Sequence, residues 1–325
     1  MNVCKRMTVA AACLAAATGA LAQDGARDYP NKPVRWVVPF TPGASNDIIA
    51  RLMGAKLGEA WGQQFIIDNR PGAGGAVGAE TVAKASPDGY TLLLANPGPS
   101  VNTPLLLKSS LYRVGDFMPI VFIGYAPLII LTNPSFPVRN PRELIDYAKA
   151  NPGKLNWGSS GNGSSLHIGL ALLQAATGIK VQHVPYKGSG PAITDLIAGQ
   201  IQAMHTTTVS AESQIKAGRV RVVGVASAKR VSLLPDVPTL AESGIKDAEA
   251  IVWFGMSGPP GLPRAIVDKL NREVNKALTL PDVKQRLDQL GLEVQGGTPQ
   301  EFAAFIRNEA AKVSRLIKAG LLHAE

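Results

Sequence analysis

VRWVVPFTPGASNDIIARLMGAKLG, residues 34–58, is the stretch whose reading decides the fold. Val34–Phe40 is an apolar run rich in β-branched and aromatic residues, the composition of a buried strand. A Pro/Gly turn follows. From about Ser45 to Gly58 the apolar residues Ile48, Ile49, Leu52, Met53 and Leu57 keep helical spacing. The same alternation continues outward: Phe65–Asp68 and Tyr90–Ala95 read as strands, with a helix over Gly78–Lys84 between them. Leu155–Gly158, Val181–Val184, Ile201–Met204 and Val220–Ala226 read as further strands separated by helices. Strands alternating with helices predict an α/β fold with mainly parallel sheets.

Two segments read as crossings between units. Pro119–Thr132 contains the apolar runs Ile120–Ile123 and Leu128–Leu131, broken at Gly124–Pro127, and Ile251–Ser257 is a second such run. They divide the chain into two lobes, 28–125 plus 253–325 and 126–252, with a cleft between them. Asn140, Pro141 and Glu143 carry a helix start with Asn as N-cap and Pro in the first turn. The tail is helical over Pro263–Leu280, and Thr298 with Glu301 forms a capping box for the last helix.

The first 22 residues read as an export signal. Lys5 and Arg6 precede an apolar run from Met7 to about Ala20, and Ala20-Leu21-Ala22 supplies a small-x-small cleavage site. That run is about 14 residues, short of the roughly 20 a spanning helix needs. Both cysteines, Cys4 and Cys13, fall inside it, so the remaining chain has no thiol for a disulfide, a metal or a nucleophile. A lipoprotein reading would acylate Cys13, but the apolar run before it is very short and Ala10 stands where a larger aliphatic is usual. Formal charge is +9, and losing Lys5 and Arg6 leaves +7. The basic residues are scattered and aromatics are 6%, which disfavours nucleic-acid binding and leaves a modest anion-attracting field.

Two loops are candidate anion sites. PFTPGASND, residues 39–47, ends a strand and feeds a helix N-terminus, where free N–H groups and the positive dipole end favour a carboxylate. GSSGNGSSLH, residues 158–167, has the same context with glycines that let a ligand approach the backbone and serines that offer hydroxyls. Each would lie at the carboxyl end of its strand, where open α/β sheets bind ligands, and the two would face one another across the cleft.

Catalytic patterns are weak. Ser160 lacks a G-x-S-x-G elbow, and no H-E-x-x-H, P-loop or complete G-x-G-x-x-G occurs. His167, His183, His205 and His323 stand far apart in sequence. A serine hydrolase using Ser160 or Ser164 with His167 is the alternative from another class. Trp157, Tyr186 and Trp253 are candidate cleft walls.

These segments resemble the substrate-binding receptors of tripartite tricarboxylate transporters, the Bug family. The resemblance spans the chain after the signal: PFTPGASND, DNRPGAGG at 68–75, SPDGYTLL at 86–93, NPGKLNWGSSGNGSSLH from 151, HVPYKGSGPA from 183, LPDVPTLAESG from 234 and GGTPQEFAAFI at 296–306. It implies a two-lobed, Venus-flytrap periplasmic binding protein of type II character, each lobe a mainly parallel sheet flanked by helices, joined by two crossover strands. It implies a monomer that captures a small organic acid, uses no cofactor or metal, catalyses nothing, and delivers its ligand to inner-membrane transporter subunits or signals to a membrane sensor. The ligand-binding positions carried over are Thr41, Pro42, Gly43, Ala44 and Asp47 in the first loop. In the second they are Ser159, Ser160, Gly161, Asn162, Ser164, Ser165 and His167. Two departures stand out. Ala44 replaces the second of two glycines, and Thr206 stands where many relatives have an Asp able to receive an ammonium, which disfavours an amino-acid ligand.

Overall fold

The computed structural model describes residues 28–322; the signal segment with Cys4 and Cys13 lies outside them. The first sheet contains β1 (Val34–Val38), β2 (Phe65–Asn69), β3 (Thr91–Ala95), β4 (Met118–Pro127), β10 (Ile251–Gly258) and β11 (Glu293–Val294), in the order β11-β4-β10-β3-β1-β2. The second contains β5 (Ile129–Thr132), β6 (Asn156–Ser159), β7 (Gln182–Pro185), β8 (Ala203–Thr206) and β9 (Arg221–Val225), in the order β7-β6-β8-β5-β9.

The α/β architecture follows the expectation, but the sheets are mixed. β1 is parallel to β2 and β3, and β6 is parallel to β7 and β8. β10 is antiparallel to β3 and β4, and β5 to β8 and β9. The reason is connectivity: a strand arriving from the other lobe enters from the opposite end and so runs against the strands joined by helical crossovers.

Alternation along β1 places Val34, Trp36 and Val38 in one apolar cluster and Val37 in another. Trp36 shares its layer with Ile49, Met53 and Leu57 of α1 (Ser45–Trp61), while Val37 meets Ala76, Ala79 and Val82 of α2 (Ala76–Ala83). Each face of the strand is therefore covered by one helix, the usual requirement of a parallel layer. α1 ends at Gly62, whose left-handed backbone (φ 64°) returns its N–H to Gly58 O at 2.9 Å.

The remaining helices are α3 (Thr103–Leu106), α4 (Pro141–Ala150), α5 (Ser165–Thr177), α6 (Ser189–Ile197), α7 (Thr208–Lys216), α8 (Arg264–Thr279), α9 (Pro281–Leu290) and α10 (Pro299–Lys318). Asn140 caps α4 by accepting from Glu143 N, and Thr298 and Glu301 make the reciprocal capping box of α10, both as the sequence predicts. The break expected at Gly124–Pro127 falls instead at Leu128, because β4 runs unbroken to Pro127 and Gly124 lies flush against the β11 backbone. At the crossing, Leu128 N donates to Ala250 O at 2.9 Å, Ala226 N to Leu128 O at 2.8 Å, and Ala250 N to Ala226 O at 2.9 Å. Three chain segments thus bind one another where the sheets meet. Among the described residues no helix is long and apolar enough to cross a membrane.

Candidate functional site

The first loop is braced from within. Gly43, with φ 79°, turns its N–H toward Asp47 Oδ2 at 3.0 Å. The same carboxylate takes Arg51 Nε at 3.0 Å, and Arg51 pairs with Asp47 Oδ1 at 2.9 Å. Asp47 is thereby committed to holding the turn closed. Ala44 occupies the N-cap of α1 with no side-chain cap, so the first N–H groups of that helix are left for other partners. One of these already crosses the cleft: Ser45 N donates to Ser210 Oγ at 2.9 Å.

The second loop is tied by its own serines. Ser159 Oγ accepts from Gly161 N at 3.1 Å and lies 2.6 Å from His183 Nε2. Ser164 caps α5 by accepting from His167 N, while His167 Nδ1 accepts from Gly163 N at 3.2 Å. His167 and His183 stack at 4.2 Å with rings 4° from parallel. Desolvation, and then the neighbouring His167 ring, push the His183 pKa down to about 4, so the imidazole is neutral near pH 7. The Ser159–His183 distance suits a nucleophile and base. Ser159 is fully buried, however, and its oxygen is engaged by Gly161 N, so the pair acts as a loop tie rather than presenting a nucleophile to the cleft.

Between the lobes lies a narrow chamber. Phe40, Ala44, Ser45, Asn46 and Asn96 line it from the first lobe with Val252, and Ser160, Ser165, Leu166, Ser189, Thr206, Thr207 and Ser210 from the second. Of the residues named from sequence, Ala44, Ser160, Ser165 and Thr206 reach this lining. Thr41, Pro42, Gly43, Asp47, Ser159, Gly161, Asn162, Ser164 and His167 stand behind it and shape the two loops. Trp157 and Trp253 are buried in the cores, and Tyr186 binds Asp195 Oδ2 through its hydroxyl at 2.6 Å, so none of the three walls the chamber.

Sequence reasoning missed two of the helices that face this space. The chamber meets the first turns of α1, α5, α6 and α7. Gly188-Ser189 opens α6, and Thr207 caps α7 by accepting from Ser210 N. The T-x-x-S spacing at 207–210 and the Gly-Ser-Gly at 188–190 were the legible signals. No charged side chain is in the lining. Asn96 bridges the first-lobe wall, donating to Asn46 Oδ1 at 2.6 Å and accepting from Gly98 N at 3.0 Å. Thr206 is wholly buried and its Oγ1 has no hydrogen-bond partner within the protein. Four helix N-termini, neutral donors and an unengaged hydroxyl make a chamber that favours anions. Among the described residues no cluster of three or more His, Cys, Asp or Glu is placed to hold a metal.

Comparison with known proteins shows the family and the fold. Residues 49–322 match the family described as tripartite tricarboxylate transporter family receptor. The chain is 34% identical over 320 residues to the protein BugT of Bordetella pertussis, covering 98% of each. It is similar to a Rhodopseudomonas palustris protein solved with adipate, at 35% identity and a TM-score of 0.88, covering 91% of this chain and 99% of that one. It is also similar to MatC of Rhodopseudomonas palustris with bound malate, at 33% identity and a TM-score of 0.85, covering 89% and 100%. The chain therefore belongs to the tripartite tricarboxylate transporter receptor family, whose members are periplasmic solute-binding proteins.

Proposed function

We propose that this receptor captures a small organic acid carrying two carboxylates and passes it to inner-membrane transporter subunits. The observation that carries the reading is the convergence of four helix N-termini on a chamber without charged side chains. Each terminus carries roughly half a positive charge, so four supply about two, the complement of a dianion. One carboxylate would take the first turns of α1 and α5, the other those of α6 and α7, where Thr206, Thr207 and Ser210 add hydroxyls. An ammonium group would find no carboxylate in this lining, which disfavours amino acids. Adipate and malate, seen in two similar structures, have the required chemistry.

In this reading the two lobes that the sequence divides near 125/126 and 252/253 move as two bodies about the Ala226–Leu128–Ala250 crossing, with β4 to Pro127 and β10 from Ile251 travelling with the first sheet. The export signal ends near Ala22, and the receptor works as a monomer. Isothermal titration against dicarboxylates, monocarboxylates and amino acids tests it. Micromolar binding of a dicarboxylate, about −8 kcal/mol, is expected, with the other two classes weaker. Preference for an amino acid would refute it.

A further inference from the structure

The two anion loops are each covered by a glycine from the opposite lobe. Gly188, the extended residue before α6 (φ 167°), faces Thr41 of the first loop. A Cβ built on it would overlap Thr41 Oγ1 and sit 3.1 Å from both Thr41 Cβ and Thr41 N. Gly74, in the Gly-rich turn after β2, faces the second loop. A Cβ there would overlap the Asn162 carbonyl oxygen and come within 3.2 Å of its carbon, and Gly161 in turn packs on the Gly74 backbone. Thr103 Oγ1 donates to Gly74 O at 3.4 Å, anchoring this turn within its own lobe. The arrangement is reciprocal. The first lobe's loop receives the second lobe's Gly188, and the second lobe's loop receives the first lobe's Gly74.

We infer that Gly74 and Gly188 are the positioning residues that allow this receptor to close, and that a side chain at either one holds the cleft ajar. The inference rests on the reading of the protein as a closing receptor. Cores and packed backbones yield little to an inserted methyl group. At Gly188 the extended backbone imposes no penalty of its own on alanine, so any effect is the contact with Thr41. At Gly74 the left-handed φ of 61° adds local strain. Gly62, with a similar φ of 64° and nothing within 4 Å of a built Cβ, isolates that contribution.

The test is a distance across the cleft mouth. With Cys4 and Cys13 replaced by serine, Val77→Cys and Lys187→Cys supply the only thiols, both at exposed positions on opposite lobes. Spin labels there are read by pulsed dipolar spectroscopy with and without saturating adipate or malate. The labelled parent is expected to populate a short distance, which Gly188→Ala and Gly74→Ala lose while Gly62→Ala retains it. Thr41→Gly, which removes the obstructing side chain, is expected to restore the short distance to Gly188→Ala. Retention of the short distance by Gly188→Ala, failure of Thr41→Gly to restore it, or its absence from the parent would overturn the inference. Calorimetry on the same proteins separates the two claims. If the parent closes and Gly188→Ala does not, yet no dicarboxylate binds, the closure residues stand and the ligand reading falls.

Discussion

Ser45 and Ser210 lie on opposite lobes, and the Ser45 amide donates to the Ser210 hydroxyl at 2.9 Å. Ser210 also meets Ser189 Oγ at 3.2 Å, so one side chain joins the first turns of α1, α6 and α7. In the reading of a receptor that closes, its bond to Ser45 forms when the lobes come together. Ser210→Ala loses this bond together with a hydroxyl offered to the ligand carboxylate, and should therefore weaken dicarboxylate binding by about 1.5–3 kcal/mol while leaving the unfolding midpoint near the parent value. Calorimetry beside a urea titration checks both halves. A large drop in stability with unchanged affinity would place the bond in the fold instead of in closure.

Thr206 gives the opposite pairing of effects. Its hydroxyl lines the chamber without a hydrogen-bond partner within the protein, so nothing in the fold depends on it. Thr206→Val should leave unliganded stability equal or higher. It should weaken binding by about 1.5–3 kcal/mol if that hydroxyl serves a carboxylate. Thermal melts and titrations on the one variant give both signs.

Asp47 and Arg51 separate loop bracing from surface charge. Asp47→Ala deletes the acceptor of Gly43 N as well as the ion pair, and should cost about 1–3 kcal/mol of stability together with a loss of affinity. Arg51→Ala removes the half-exposed cation paired with the buried Asp47 carboxylate and its 3.3 Å bond to Asn69 Oδ1 but keeps the Gly43 bond, so it should cost less than Asp47→Ala. Equal effects from the two substitutions in urea unfolding would show that the Gly43 bond contributes nothing.

Acid should destabilise the fold through its histidines. Burial holds His183 at about 4 and His205 at about 3, against an unfolded value near 6.5. Below pH 6.5 the unfolded chain gains protons that the folded chain refuses, so stability is fully present above that value and falls progressively toward pH 4. His205 has neither ring nitrogen hydrogen-bonded, so His205→Leu should be neutral or stabilising at pH 7 and should flatten the decline. Melting temperatures from pH 7.5 to 4 test this, and an unchanged slope in the variant would rule His205 out as a source.

Much of this architecture was written in local pattern. β1 and α1 are legible because a β-branched and aromatic apolar run gives way to helical spacing across a single Pro/Gly turn, and Asn140 and Thr298 announce their helices by capping chemistry. The mixed direction of the sheets was not legible. Whether β5 and β10 run with or against their neighbours depends on which end of the sheet the chain enters, which periodicity does not encode. The site divides in the same way. The loops at 39–47 and 158–167 show themselves by glycine, serine and their place at strand ends. Asn96 does not, and Ser189 and Ser210 show only helix-start spacing, because the convergence of α6, α7 and the end of β3 on one chamber arises through the tertiary fold. Asp47 has a role that loop composition does not announce: its proximity to Gly43 N and Arg51 makes it a brace of the turn.

The most direct measurement is a crystal structure of the protein grown with malate or adipate. The account predicts both carboxylates in the chamber within hydrogen-bond reach of first-turn amides and of Ser or Thr hydroxyls on α1, α5, α6 and α7. An acid held chiefly by lysine or arginine side chains, or seated outside the space between Ala44 and Thr206, would contradict it.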